Sequence, residues 1–230
     1  MAGIALAEGV QSANTVGFIE QTIDPNSGTA SIGVNFVPVG NSAGSFTVAG
    51  NAFGTALNDY DVFYAFDAEM WDLSSYTFIS SAEGWSYTLA DGTQAAVASL
   101  TIAPRTTLYY MGSASSFVLS GEVAASGTVS QTFNPENGFG FDFVNPFPVA
   151  TTFADLETFA NAYDVFYIFD PDLWDLSSYT FISSSEGWSY TLADGTSGAI
   201  TDTSTVFLPA GKGATYCPGS TATWAKTLNY

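Results

Sequence analysis

The chemistry open to this chain is set first by what it lacks. It contains no histidine and one cysteine, Cys217, so Ser-His-Asp and Cys-His arrangements and His-containing zinc sites are excluded. No Gly-rich phosphate loop ending in Gly-Lys-Ser/Thr occurs. Carboxylates and aromatic rings remain. Asp67, Glu69 and Asp72 cluster around one turn, and Asp170, Asp172 and Asp175 stand at the same spacing 103 residues later. Oxygen-only side chains suit a hard cation, which makes these six the candidate calcium ligands. The glycine and the twelve-residue spacing of an EF-hand are missing, and turn caps and solvated loop charges explain the same residues more simply. A general acid and base could be drawn from them with Glu83 or Glu186. Both halves of the chain carry the same set, however, whereas a two-carboxylate enzyme builds one cleft. No catalytic residue is expected.

The second chemistry is stacking. Trp71, Trp174, Trp85 and Trp188 could form platforms for sugar rings, flanked by Asp and Ser as hydrogen-bond partners. Aromatics in alternating strands more often fill a core, and that is the commoner role for the strand residues. For Trp71 and Trp174, which lie beside the acidic turns, the two roles weigh equally. Cys217 sits in a strand-like run and reads as a small buried hydrophobe.

These residues are positioned by an internal repeat. Tyr60–Thr93 and Tyr163–Thr196 agree at 29 of 34 positions, differing only at Ala65/Ile168, Ala68/Pro171, Glu69/Asp172, Met70/Leu173 and Ala82/Ser185. An offset of 103 residues is the size of a domain and far too long for a solenoid unit. Weaker matches extend it: Gln21–Pro25 answers Gln131–Pro135, and Leu108–Met111 answers Ala214–Cys217. The chain divides into 1–7, a leader remnant, 8–122, a first β-domain, and 123–230, its duplicate. Val62–Phe66, Tyr76–Ile79 and Trp85–Leu89 are rich in aromatic and β-branched residues. Ser86 and Thr88 alternate with Trp85, Tyr87 and Leu89, placing the aromatics on one strand face. Asp91-Gly92 and Asp194-Gly195 mark hairpin turns. The pattern predicts an all-β protein: two tandem β-sandwich-like domains, or small open barrels, of six or seven strands each. One or two short helical turns are expected. Thr152–Ala160 opens on a capping box with Asp155, and Asp170-Pro171-Asp172-Leu173-Trp174 has Asp at a cap and Pro at the first helical position.

Charge and termini bear on partners and location. Lys plus Arg number 3 against 22 Asp plus Glu, a formal net charge of −19, which disfavours nucleic acid and anionic membrane surfaces as partners. With 47% hydrophobic and 16% aromatic residues, the chain can bury a core and is no acidic disordered tail. No apolar run approaches the roughly 20 residues that span a bilayer. Ala5-Leu6-Ala7 before Glu8 has the small-residue pattern of a signal-peptidase site. Met1–Ala7 therefore reads as the tail of a signal peptide, and the protein as exported to the periplasm, the cell surface or the extracellular space.

Asn14-Thr15-Val16-Gly17-Phe18, then Gly138-Phe139 leading to Asn145-Pro146-Phe147-Pro148, resembles exported bacterial proteins with tandem β-domains. In those proteins each half also carries a "YD…Y.FD" strand, a "Y.F.S…GW" hairpin and a final strand like Leu208-Pro209-Ala210-Gly211. The resemblance implies a surface or secreted protein and brings no catalytic residue with it. The loop at 40–54 departs from the pattern, being Gly/Ser-rich where the second copy has its short helix. Taken together, these features lead to the expectation of a non-enzymatic structural or adhesive protein without a cofactor, calcium apart, that forms a homo-oligomer or filament. The alternative is a carbohydrate-binding module.

Overall fold

The computed structural model describes residues 16–23, 28–34, 46–47, 57–98, 100–114, 116–122, 127–145, 147, 149–170 and 172–228. The leader remnant and the 40–54 loop, Phe46 and Thr47 apart, lie outside them, as do Pro146, Pro148 and Pro171. The protein is all-β. Its first strands are β1 (Val16–Thr22), β2 (Thr29–Gly33), β3 (Phe46–Thr47), β4 (Val62–Asp67) and β5 (Asp72–Ser80). They are followed by β6 (Gly84–Thr88), β7 (Gln94–Val97), β8 (Thr101–Ile102), β9 (Thr107–Met111) and β10 (Ser116–Glu122). The second series begins with β11 (Gly127–Phe133), β12 (Phe141–Val144), β13 (Thr151–Thr152), the helix α1 (Phe153–Glu157), β14 (Val165–Asp170) and β15 (Asp175–Ser183). It ends with β16 (Gly187–Thr191), β17 (Ser197–Ile200), β18 (Val206–Leu208), β19 (Gly213–Cys217) and β20 (Ala222–Leu228). Each series has ten described strands, against the six or seven read from the sequence. The excess includes the pairs β3–β8 and β13–β18, whose two- or three-residue strands are too short to show an alternating pattern.

Each half builds one open antiparallel sheet of six strands, in the orders β2-β9-β4-β5-β6-β7 and β12-β19-β14-β15-β16-β17. Smaller two-stranded sheets, β1–β10 with β3–β8 and β11–β20 with β13–β18, complete each half. Neither six-stranded sheet closes into a barrel, because its terminal strands do not pair with each other. Strand alternation sends one face of each large sheet inward. In the second half Phe143, Phe166, Trp188 and Tyr216 meet Phe133 and Trp224 of the β11–β20 ribbon and Phe207 and Leu208 of β18. In the first, Phe63, Trp85 and Tyr110 meet Ile23 and Ile102. These are β-sandwiches. Burying a side chain the size of Phe contributes about 2 kcal/mol, so the aromatic strands supply much of the stabilisation.

Each core also holds one carboxylate. Asp164 accepts hydrogen bonds from the Asn161 and Gly219 N–H groups, both at 2.7 Å, and from the Tyr216 hydroxyl. Asp61 accepts from the N–H groups of Asn58 and Ser113 at 2.8 and 3.0 Å. Buried carboxylates are tolerated only when satisfied in this way. Burial and the adjacent Asp164 raise the Tyr216 hydroxyl far above its usual range.

The local turn chemistry follows the sequence at several points. The Asp91-Gly92 and Asp194-Gly195 turns link β6 to β7 and β16 to β17, with φ of +84° and +83° at the glycines, a conformation that costs a Cβ-bearing residue. The helix α1 opens on a full capping box between Thr152 and Asp155. Asp170–Trp174 is different: its described residues form a hairpin turn between β14 and β15 rather than a helical turn. The Asp170 side chain accepts from the N–H groups of Asp172 and Leu173, the bond pattern of an N-cap, but the left-handed backbone at Trp174 reverses the chain before a helix can propagate.

Candidate functional site

The two acidic turns have the same construction. In the first, Asp67 Oδ1 accepts from the N–H groups of Glu69 and Met70 at 2.9 and 3.0 Å. Trp71 then takes a φ of +53°, and Asp72 pairs back across the hairpin with Asp67. In the second, Asp170 caps the turn, Trp174 has a φ of +54°, and Asp175 pairs with Asp170. A tryptophan in the left-handed region is uncommon and costs about 1 kcal/mol or more. Both copies maintain it at the same position.

That backbone reversal presents each indole to the other half. Trp71 meets Tyr167 edge-to-face at 5.2 Å, and Trp174 meets Tyr64 at 5.0 Å. Within its own half, Trp71 lies 5.3 Å from Phe66 and Trp174 lies 5.3 Å from Phe169. Since Trp71 corresponds to Trp174 and Tyr64 to Tyr167, the contacts are reciprocal, the mark of an isologous interface. The halves are thus related by a pseudo-twofold axis. The outward faces of the large sheets meet near that axis, where Thr107 Oγ1 donates to the Ala214 carbonyl at 3.2 Å and the Phe169 N–H donates to the Tyr109 hydroxyl at 3.3 Å. Thr29 Oγ1 donates to Asp172 at 3.0 Å, and the Gly33 N–H donates to the Gly211 carbonyl at 2.6 Å.

Where the two hairpin turns converge, a cleft of about 180 Å³ opens. Phe66, Trp71, Asp72 and Leu73 line one side, and Phe169, Trp174, Asp175 and Leu176 line the other. Trp71 and Trp174 keep 52% of their surface exposed despite their ring contacts. Asp72 Oδ1 and Asp175 Oδ1 each accept only from the next residue's N–H, both at 2.7 Å, among the described contacts. This cleft is the candidate functional site; Met70 and Leu173, the residues preceding its two tryptophans, are exposed.

The remaining sequence candidates fall elsewhere. Trp85 and Trp188 are 1% and 0% exposed, so neither ring offers a sugar-stacking surface. Both lie on the core face of their strands, with Trp85 against Phe63 and Phe78 and Trp188 against Phe166 and Phe181. The six candidate calcium ligands do not converge: among the described residues no group of three or more His, Cys, Asp or Glu side chains is placed to hold a metal. Asp67 and Asp170 spend an oxygen on backbone N–H groups, Asp172 accepts from Thr29, Glu69 lies beside Gly138, and Asp72 and Asp175 face the symmetric cleft.

Sequence reasoning missed one group. A second, larger cleft of about 350 Å³ runs between the first acidic turn and β12, lined by Asp67, Glu69, Asn137 and Asp142 among others. Asp142 stands at its foot, open to water on one side and walled by protein on the rest. Loss of hydration pushes its carboxyl up to about 6, against the opposing pull of the Thr107 N–H at 3.1 Å. The cleft draws its walls from both halves, Ala65–Glu69 and Ser74 from the first and Asn137, Gly138, Phe141 and Thr215 from the second, so no local pattern marks it. Cys217, paired with Val165 as Met111 is with Val62, has its thiol pushed up to about 11 by burial. Comparison of the chain with protein-family models, with curated proteins and with solved structures finds no match.

Proposed function

We propose that this is an exported, non-enzymatic structural or adhesive protein that joins to further copies through the free edges of its two large sheets. One observation carries this reading. The strands β7 and β17 end their sheets and are hydrogen-bonded on one side only among the described residues. Their sequences, Gln-Ala-Ala-Val and Ser-Gly-Ala-Ile, are mostly exposed and contain no charge and no proline. Natural sheets protect such edges with lysine, proline or a covering segment, because an open edge templates pairing with another strand. Two edges related by the pseudo-twofold axis make each molecule bivalent, and bivalent pairing extends into a chain of molecules. The net charge of −19 sets a threshold on that assembly, since like-charged copies repel until salt or cations screen them.

The test is electron microscopy and sedimentation of the native protein across concentration and ionic strength. Filaments or sheets are expected, and Ala96→Lys with Ala199→Lys, which charge equivalent edge positions, abolish them. A protein that stays monomeric under every condition sinks the proposal.

A further inference from the structure

We infer that the cleft on the pseudo-twofold axis binds an organic ammonium cation bearing apolar substituents, such as a quaternary trimethylammonium group. This reading is independent of assembly through the sheet edges. It rests on the composition of the cleft. Four rings, Phe66, Trp71, Phe169 and Trp174, line an open cleft of about 180 Å³, and indole gives the strongest cation–π attraction of the side-chain rings. Among the described residues the ionisable lining groups are Asp72 and Asp175, one on each side of the axis. No lysine or arginine lines the space, so both carboxylates face it without a cationic neighbour there. Of the three basic residues in the chain, Lys226 is engaged with Asp155 at 3.4 Å on the second half.

The chemistry of the cleft lining disfavours other ligands. A sugar needs several oriented donors and acceptors for its hydroxyls, and among the described residues the lining offers two carboxylates and no Ser, Thr, Asn, Gln or Arg. A strongly hydrated primary ammonium has little use for Leu73 and Leu176, whereas N-methyl groups pack against leucine and indole alike. The left-handed backbone at both tryptophans, repeated in both halves, holds the rings at the mouth at a conformational cost, as backbone strain does at ligand-binding positions. Because the lining is duplicated across the axis, a single cation sits between two equivalent walls and the stoichiometry is one per chain.

Titration calorimetry with choline tests this, with its uncharged carbon isostere 3,3-dimethyl-1-butanol and a cello-oligosaccharide run alongside. Choline is expected to bind one to one, more weakly as salt rises, and the isostere not at all. Trp71→Ala or Trp174→Ala weakens binding by about tenfold. Since each tryptophan also joins the halves, the paired variant Asp72→Asn with Asp175→Asn gives a second reading, because it preserves the hydrogen bonds to Leu73 and Leu176. It is expected to stay folded by circular dichroism and to lose choline affinity. The inference is overturned if choline gives no heat at about 10 mM, if choline and the isostere bind equally, or if the Asp variants bind as well as the parent. It is overturned in favour of a glycan if the oligosaccharide binds and Trp71→Ala abolishes that binding. It is overturned in favour of a second copy if the chain forms dimers that Trp71→Ala dissociates.

Discussion

Asp142 gives the sharpest test of how the halves are packed. In the unfolded chain its carboxyl titrates near 3.9, and in the folded protein it is pushed up to about 6 because β9 of the other half displaces part of its water. The folded state thus binds the proton more tightly than the unfolded state. The contribution of this carboxyl to stability is greatest below about pH 4 and falls as the pH rises through the window from about 4 to about 6. The shift alone would cost roughly 3 kcal/mol above that window, but water in the cleft screens the charge and brings the figure to about 1 kcal/mol. Asp142→Asn keeps the acceptor for the Thr107 N–H and removes the charge. The variant should melt about 2–4 °C higher than the parent at pH 7, given the usual entropy of a chain this size, and equal to it at pH 4. Calorimetric melting at the two pH values decides the matter. An equal effect at both, or a lower melting point at pH 7, refutes the desolvation argument.

Three further outcomes follow from the geometry. Trp188→Ala, which empties a site at 0% exposure, should cost about 3–5 kcal/mol, and Trp174→Ala, at 52% exposure, should cost well under half of that by urea unfolding. Gly213→Ala would place a Cβ 2.3 Å from Thr107 Oγ1; the contact cannot be accommodated without moving the sheets apart, so a loss of about 1–3 kcal/mol is expected, relieved by Thr107→Ala in the same chain. Cys217, with its thiol near 11, should react with a disulfide reagent at pH 8 some hundredfold more slowly in the folded protein than in urea, where thiols titrate near 8.5; equal rates would show an accessible thiolate.

What the sequence revealed was local. The hairpins of the repeat, the Asp-Gly turns and the Thr152–Asp155 capping box all depend on residues a few positions apart, and each forms as read. Period-two alternation also separated Trp85 and Trp188 from their Ser and Thr neighbours correctly. It could not say that the opposite sheet face would be covered by the other half, because alternation names two faces without naming what packs on either. Position in a strand marked Trp85 as the more core-like, whereas the display of Trp71 depends on a left-handed backbone that an ordinary Met-Trp-Asp sequence does not announce. The acidic residues look like a ligand set because they are near in sequence; that Asp67 and Asp170 each give one oxygen to backbone N–H groups of their own turns is a feature that spacing alone does not announce. Asp142 had no signal at all, since part of its environment, from Ala65 to Glu69 and at Thr107, is supplied by the first half.

The pseudo-twofold axis passes between residues that are no longer alike. Thr107 faces Gly213, and Tyr109 and Thr215 occupy matching places on β9 and β19. In a dimer of identical chains every substitution arises on both sides of an axis at once, so a threonine there would meet a threonine, and a glycine a glycine. Joining the two copies in one polypeptide lifts that rule: one side can grow while the other shrinks to admit it. The hairpins, which meet mainly through reciprocal Trp–Tyr contacts away from those positions, remain nearly the same sequence. Covalent linkage has therefore turned a symmetric contact into a lock with two different halves, one that favours the partner in its own chain over any other copy it encounters.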